Sequence, residues 1–286
     1  MNSKKNQLLP KKELFYKEST KVYVPVSDGA ELLVYYTTKK PDGYNIFYIP
    51  GYGSLPMSWN DLWDELYKDF NLYVLETREK ISSKVKWSHK GDMNRSGLDI
   101  KDSIENLDLD QKKTFIIAAS SATLYVGRAL AAEMIHPKGL IAIGIIRTPV
   151  LPSKLIYMSK FTPSFLINWA LKTIGKLWLT MVMPKGPQRE AYKQYMQNAS
   201  AMRYKKTKCL TWWDATEDYK KIKTPTWIIG AVEESMHTEH ESKLIRGLIK
   251  NSIYVEVPDF SYMHHLPGAR DFAKVIKDII EGKYNS

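Results

Sequence analysis

The sequence predicts a doubly wound, mostly parallel α/β sheet interrupted by one helical insertion. Three observations predict it. Short β-branched or aromatic apolar runs recur without strict polar alternation, as strands covered on both faces require. Helical stretches separate most of these runs, which is the pattern of parallel strands joined by crossovers. One segment, residues 148–213, breaks that alternation by separating two strands that a single helix could have joined.

The chain enters through residues 21–26 and 32–36, two strand-like runs divided by the turn signal Ser27-Asp28-Gly29, so a hairpin is expected there. The runs at 44–49, 72–75, 114–118, 140–145, 226–229 and 253–257 follow as sheet strands. Helices are expected at 62–70, 122–135 (ended by Pro137), 241–249 and 271–280. Residues 1–20 read as a polar lead-in, 21–147 and 214–286 as the α/β core, and 148–213 as a cap. Within the cap, residues 163–183 are nearly continuously apolar. Asn168, Lys172, Lys176 and Thr180 form a narrow polar stripe at four-residue spacing. Two lysines near its middle argue against a membrane span. Two readings of this helix stand: one buried between cap and core, or a lid that covers an apolar pocket or touches a lipid surface.

Composition bounds the function classes. With 286 residues, 44% hydrophobic and 26% charged, the chain can bury a large core and is not expected to be disordered. Its single cysteine, Cys209, allows no internal disulfide and no thiolate metal cluster, which fits a reducing, cytoplasmic setting. The net charge of +11 attracts anions in general, yet the lysines are scattered without a nucleic-acid-binding motif, so solvated faces are expected and nucleic acid is not. The basic N-terminus carries no apolar run of signal-peptide length. His237 and His240 stand three apart with no third ligand in view, so no metal or other cofactor is expected.

The candidate chemistry begins at Thr114-Phe-Ile-Ile-Ala118-Ala119-Ser120-Ser121-Ala122, where strand passes directly to helix. A nucleophile held on such a turn needs small residues two before and two after it, because the turn presses those positions against neighbouring backbone. Ala118 and Ala122 meet that need around Ser120; centring on Ser121 would place Ala119 and Thr123 there, a poorer steric match. The alternative role for this serine is a helix N-cap.

From about residue 21 to the end, the chain resembles the α/β-hydrolase superfamily. The resemblance rests on this elbow, on Ile46-Phe-Tyr-Ile-Pro50-Gly51-Tyr52-Gly53-Ser54 followed by Trp59, and on Thr226-Trp-Ile-Ile-Gly230-Ala-Val-Glu233-Glu234. The Ala-Ala-Ser core of the elbow is also similar to that of bacterial long-chain acyl thioesterases. The resemblance implies an oxyanion hole made by the backbone N–H groups of Tyr52 and Ser121, with Gly51, Trp169 and Trp178 contacting substrate. It places the acid on Glu233, with Glu234 as rival, since Gly144-Ile-Ile-Arg-Thr-Pro149 holds no carboxylate. It places the base after the last strand, where a gapless match sets Tyr262 in the histidine column and His264 and His265 follow two and three residues later. Leu75-Glu76-Thr77-Arg78-Glu79 replaces the family's Asp-x-x-Gly turn, which implies a different local loop shape.

The implied activity is cleavage of an ester or thioester of an apolar acyl substrate through an acyl-enzyme on Ser120. An acyltransferase using the same site, or a hydrolase-fold protein without catalysis that binds an apolar ligand or partner, are the alternatives. Peripheral contact of the cap with a membrane is a further expectation.

Overall fold

The computed structural model describes residues 13–284 apart from 87, 90, 150–152, 208–211 and 235–236. Cys209 and most of the N-terminal lead-in therefore lie outside the described residues.

Strands β1 (Thr20–Pro25) and β2 (Glu31–Thr37) form the entry hairpin, closed by Val26 and Ala30 and by Gly29 at φ 83°. They lead into β3 (Asn45–Ile49), β4 (Asn71–Glu76), β5 (Thr114–Ala119), β6 (Gly139–Ile143), β7 (Thr226–Glu233) and β8 (Ser252–Asp259). The sheet order is β1-β2-β4-β3-β5-β6-β7-β8; β1, β2 and β4 pair antiparallel and every pair from β4 to β8 is parallel. Alternate strand residues feed two apolar layers. On β3 and β5, Phe47, Ile49, Ile116 and Ala118 face one layer, and Ile46, Tyr48, Phe115 and Ile117 face the other. Burial on both faces is why these strands read as unbroken apolar runs.

The helices are α1 (Leu14–Glu18), α2 (Asn60–Leu66), α3 (Met93–Asn106), α4 (Ala122–Ala131), α5 (Ser153–Ser159), α6 (Ser164–Ala170), α7 (Lys176–Val182), α8 (Pro187–Asn198), α9 (Ala201–Thr207), α10 (Thr216–Tyr219), α11 (Glu239–Leu248), α12 (Phe260–His264) and α13 (Gly268–Ile280). Helices α5 to α9 lie in the segment read as the cap. A π-helical turn, Leu171–Gly175, joins α6 to α7.

Three differences from the sequence reading have physical causes. Helix α1 lies in the expected lead-in because Phe15 is fully buried and the N–H groups of Leu14 and Phe15 donate to Asp64. Helix α3 escaped detection because its inward side carries ions as well as apolar groups. Asp99 accepts two hydrogen bonds from the buried Arg78 guanidinium, and Arg95 bridges Asp99 and Asp102. Helix α4 ends before Pro137: Glu133 adopts φ 53°, and the Met134 and Glu133 N–H groups donate to the Ala129 and Leu130 carbonyls, closing the helix with a Schellman motif.

The sheet order places the site. From β3 the chain moves to β4 on one side and returns to β5 on the other, so the C-terminal ends of β3 and β5 stand together at a topological switch point. Ile49 pairs with Ala118 there. The loops after these strands meet as a result.

Candidate active site

Ser120 follows β5 with φ 51°, a left-handed conformation that a residue bearing a Cβ adopts only at a cost. The surroundings hold it there. Its N–H donates to the Ile143 carbonyl at 2.9 Å, and its own carbonyl accepts from the Thr123 N–H at 2.9 Å and the Thr123 hydroxyl at 2.6 Å. Ala118 and Ala122 are fully buried on either side, so larger residues would have no room. Gly51 faces this turn from the loop after β3. A Cβ there would stand 3.0 Å from both the Ala119 carbonyl oxygen and the Ser120 Cβ. The glycine lets the two loops close on one another.

The imidazole beside Ser120 belongs to His237. Its Nε2 lies 2.8 Å from the Ser120 Oγ, and its Nδ1 lies 2.5 Å from the Glu234 Oε1. Both side chains are buried. Gly144, at φ 56° just past β6, clears the path: a Cβ at that position would lie 3.0 Å from the His237 ring. The loop after β7 thus crosses the end of β6 to reach the elbow.

This arrangement corrects the expected base and acid. His264 is buried between Trp59 and Phe260, with ring centroids 3.7 and 3.8 Å away, and its Nδ1 is 2.9 Å from the Ser58 carbonyl. His265 lies 3.9 Å from Asp61. Asp259 caps α12 by accepting from the Tyr262 N–H, so helix begins directly after β8 and leaves no loop that could swing either histidine to Ser120. Tyr262 packs against Phe272 instead of taking a histidine's place at the elbow. Glu233 is the last residue of β7, paired with Asp259 and exposed; the strand runs through the acid's expected position, and Glu234 is the carboxylate that turns inward. His237 was passed over because the sequence reading weighed it only as a metal ligand. The available signal was the spacing Glu234-x-x-His237 in the loop after a central strand.

Tyr52 and Ser121, whose N–H groups the resemblance offers as oxyanion donors, are in contact. The Tyr52 N–H donates to the Ser121 Oγ at 2.6 Å, which puts the loop after β3 and the first turn of α4 in contact beside Ser120. Lys80 fastens the underside of that loop through its ammonium, which donates to the Gly51 carbonyl at 3.3 Å and to the Ser54 carbonyl. The loop after β4, which begins in the segment standing in place of the Asp-x-x-Gly turn, is held by this lysine and by Arg78 of that segment. Glu76, at the end of β4, is pushed up to about 7, chiefly by burial and against the pull of Lys80.

Aromatic side chains of the segment read as the cap reach the loop after β3 and Glu234. Tyr204 of α9 stacks on Tyr52 at 4.0 Å, and Tyr195 of α8 lies against Gly53. Tyr192, also of α8 and half-buried, lies near Glu234; burial first, and then that carboxylate, raise its phenol well above the ordinary value, so it stays protonated. Trp169 and Trp178, expected to contact substrate, instead point outward and are 59% and 40% exposed. Among the described residues no cluster of three or more His, Cys, Asp or Glu side chains is arranged to hold a metal ion.

No family model and no curated protein matches the sequence. The fold matches many solved structures. An esterase from Rhodococcus sp. aligns with a TM-score of 0.72 at 14% identity over 92% of this chain and 99% of its own. An esterase from Exiguobacterium antarcticum gives 0.72 at 13% identity, over 92% and 100%. An enol-lactonase from Burkholderia xenovorans gives 0.69 at 16%, over 91% and 100%. The chain has the α/β-hydrolase fold.

Proposed function

We propose that the protein is a serine hydrolase that cleaves an ester or thioester of an apolar acyl substrate, with Ser120 as nucleophile, His237 as general base and Glu234 as the carboxylate that orients it. The observation carrying the reading is the hydrogen-bonded chain from Ser120 Oγ through both ring nitrogens of His237 to Glu234. Nucleophile, base and orienting acid within hydrogen-bond reach of one another are what this chemistry needs. The strained φ of Ser120 supports it further, since such conformations persist where surrounding structure enforces them and cluster at functional sites.

In the proposed reaction the Ser120 oxygen attacks the acyl carbonyl while His237 Nε2 takes the hydroxyl proton. Negative charge collects on the former carbonyl oxygen beside the backbone N–H groups of Tyr52 and Ser121. The Ser121 hydroxyl, which accepts from the Tyr52 N–H in the resting site, rotates aside to admit it. Each such donor lowers the barrier by about 3 kcal/mol. Collapse of the tetrahedral intermediate breaks the bond to the alcohol or thiol, which leaves with the proton from His237. Water then attacks the acyl-enzyme, giving a proton to His237; that proton returns to Ser120 as the carboxylic acid departs. The aromatic inner side of the cap favours an apolar acyl group, and esterases and an enol-lactonase among the structural neighbours fit the reaction class.

The test is covalent labelling with a fluorophosphonate probe, followed by hydrolysis of p-nitrophenyl esters of increasing chain length. Labelling of the native protein, lost in Ser120→Ala and strongly slowed in His237→Ala, is expected. Labelling that does not depend on Ser120 overturns the proposal.

A further inference from the structure

We propose that the outer face of the cap docks on an anionic lipid surface. Phe165, Trp169, Ile174, Trp178 and Val182 are all exposed, from 40% for Trp178 to 70% for Phe165. Their spacing shows why they share a face. Four residues make about one α-helical turn, so steps of four along α6 and α7 keep side chains in line. The one step of five, from Trp169 to Ile174, coincides with the π-helical turn Leu171–Gly175, whose wider winding absorbs the extra residue. A purely α-helical path would rotate the second half of the stripe away from the first.

A different side of the same helix, about 100° round from the stripe, is anchored. The Asn168 Oδ1 accepts from the Ala201 N–H at 2.8 Å, Gly175 lies so close to Met196 that a Cβ would stand 2.7 Å from its sulfur, and Leu179 is fully buried. The apolar stripe therefore cannot turn inward to the core. A continuous exposed patch of this kind marks an interaction surface.

Charge selects the occupant. No Asp or Glu occurs from Thr148 to Arg189, whereas Lys154, Lys160, Lys172 and Lys185 fall within that stretch and are exposed. Tryptophan, phenylalanine and aliphatic side chains flanked by lysines, without carboxylates to be repelled, match the boundary between anionic headgroups and acyl chains. The mode is lying on the surface and not spanning it, because no described helix is long and apolar enough to cross a membrane. Elsewhere in the cap, Tyr204 stacks on Tyr52, Tyr195 lies against Gly53 and Tyr192 lies near Glu234, so a docked cap would set the site close to the lipid phase.

The experiment is sedimentation of the full-length Ser120→Ala protein with vesicles of phosphatidylcholine alone or containing about 30 mol% phosphatidylserine, an anionic content that gives a substantial surface potential. Using that variant reads binding apart from turnover, so failure here leaves the hydrolase proposal standing, and the reverse. Binding to the anionic vesicles, at least about tenfold weaker to phosphatidylcholine alone and falling with added salt, is expected. Phe165→Ser/Trp169→Ser/Ile174→Ser should abolish it, and Lys160→Glu/Lys172→Glu should weaken it about tenfold. Circular dichroism and an unchanged melting temperature check that the variants remain folded. Absence of vesicle binding overturns the proposal, as does binding unaffected by both sets of substitutions. A concentration-dependent dimer that the apolar triple substitution dissolves, without vesicle binding, would assign the face to a second copy of the chain instead.

Discussion

The elbow cluster and the outer face of the cap use the same apolar-rich chain in opposite ways. At the ends of β3, β5, β6 and β7, backbone conformation is forced. Ser120 sits at positive φ, a Cβ at Gly51 or Gly144 would meet neighbouring atoms at 3.0 Å, and the Ser120 hydroxyl and both His237 ring nitrogens have defined partners. On the cap, Phe165 and Trp169 are largely exposed. The first region is specified from within the fold, whereas the second is left facing solvent. The difference teaches that apolar content alone does not locate a substrate site: Trp169 and Trp178 looked like site residues, while the cap side chains that reach the loop after β3 are tyrosines with polar tips.

The largest expected effect breaks the first region. His237→Ala should lower ester hydrolysis by about 10³–10⁵-fold, whereas His264→Phe, which keeps the ring stack between Trp59 and Phe260, should change it by no more than about threefold. Equal losses from both would move the base back to the loop after β8. Next, Glu234→Gln should cost about 10²–10⁴-fold and Glu233→Gln only a few-fold, measured as kcat/KM on one p-nitrophenyl ester.

A smaller effect tests how the scaffold beneath the site is held. Arg78 lies buried between Asp99 and Asp28, so Arg78→Met leaves Asp99 with one of its two cationic partners and should destabilise the fold by about 3–5 kcal/mol in urea unfolding. The smallest concerns Glu76. Its pKa is raised on folding to about 7, so folded protein holds this proton more tightly than unfolded chain does. Stability is unaffected below the unfolded value, falls as pH rises toward 7, and above that carries the full penalty of a buried carboxylate, on the order of 3 kcal/mol. Glu76→Gln should remove that fall, read as the difference in unfolding free energy between pH 4 and pH 8; an identical fall in both proteins would exclude Glu76 as its source.

Much of the fold was legible because the strands are buried on both faces and the turns carry glycine or short polar residues. Helix α3 was not, since Asp99 and Asp102 occupy positions where a helix ordinarily shows apolar residues and only Arg78 and Arg95 explain them. The elbow was legible from Ala118, Ser120 and Ala122, whose sizes follow from a steric demand within a few residues. The base was not. Its identity depends on which of two loops, separated by a strand, an α-helix and their connections, reaches across the sheet.

The sequence by itself determined the parallel sheet and the place of Ser120 on a strand-to-helix turn, because each follows from local periodicity or from the size of adjacent residues. Only the tertiary structure decided that His237 and Glu234, and not His264 and Glu233, stand at Ser120. Strand β7 stays extended through Glu233, Gly144 opens the space above β6, and Asp259 starts a helix that carries His264 into an aromatic stack. Those are contacts between distant segments, and no spacing along the chain encodes them directly.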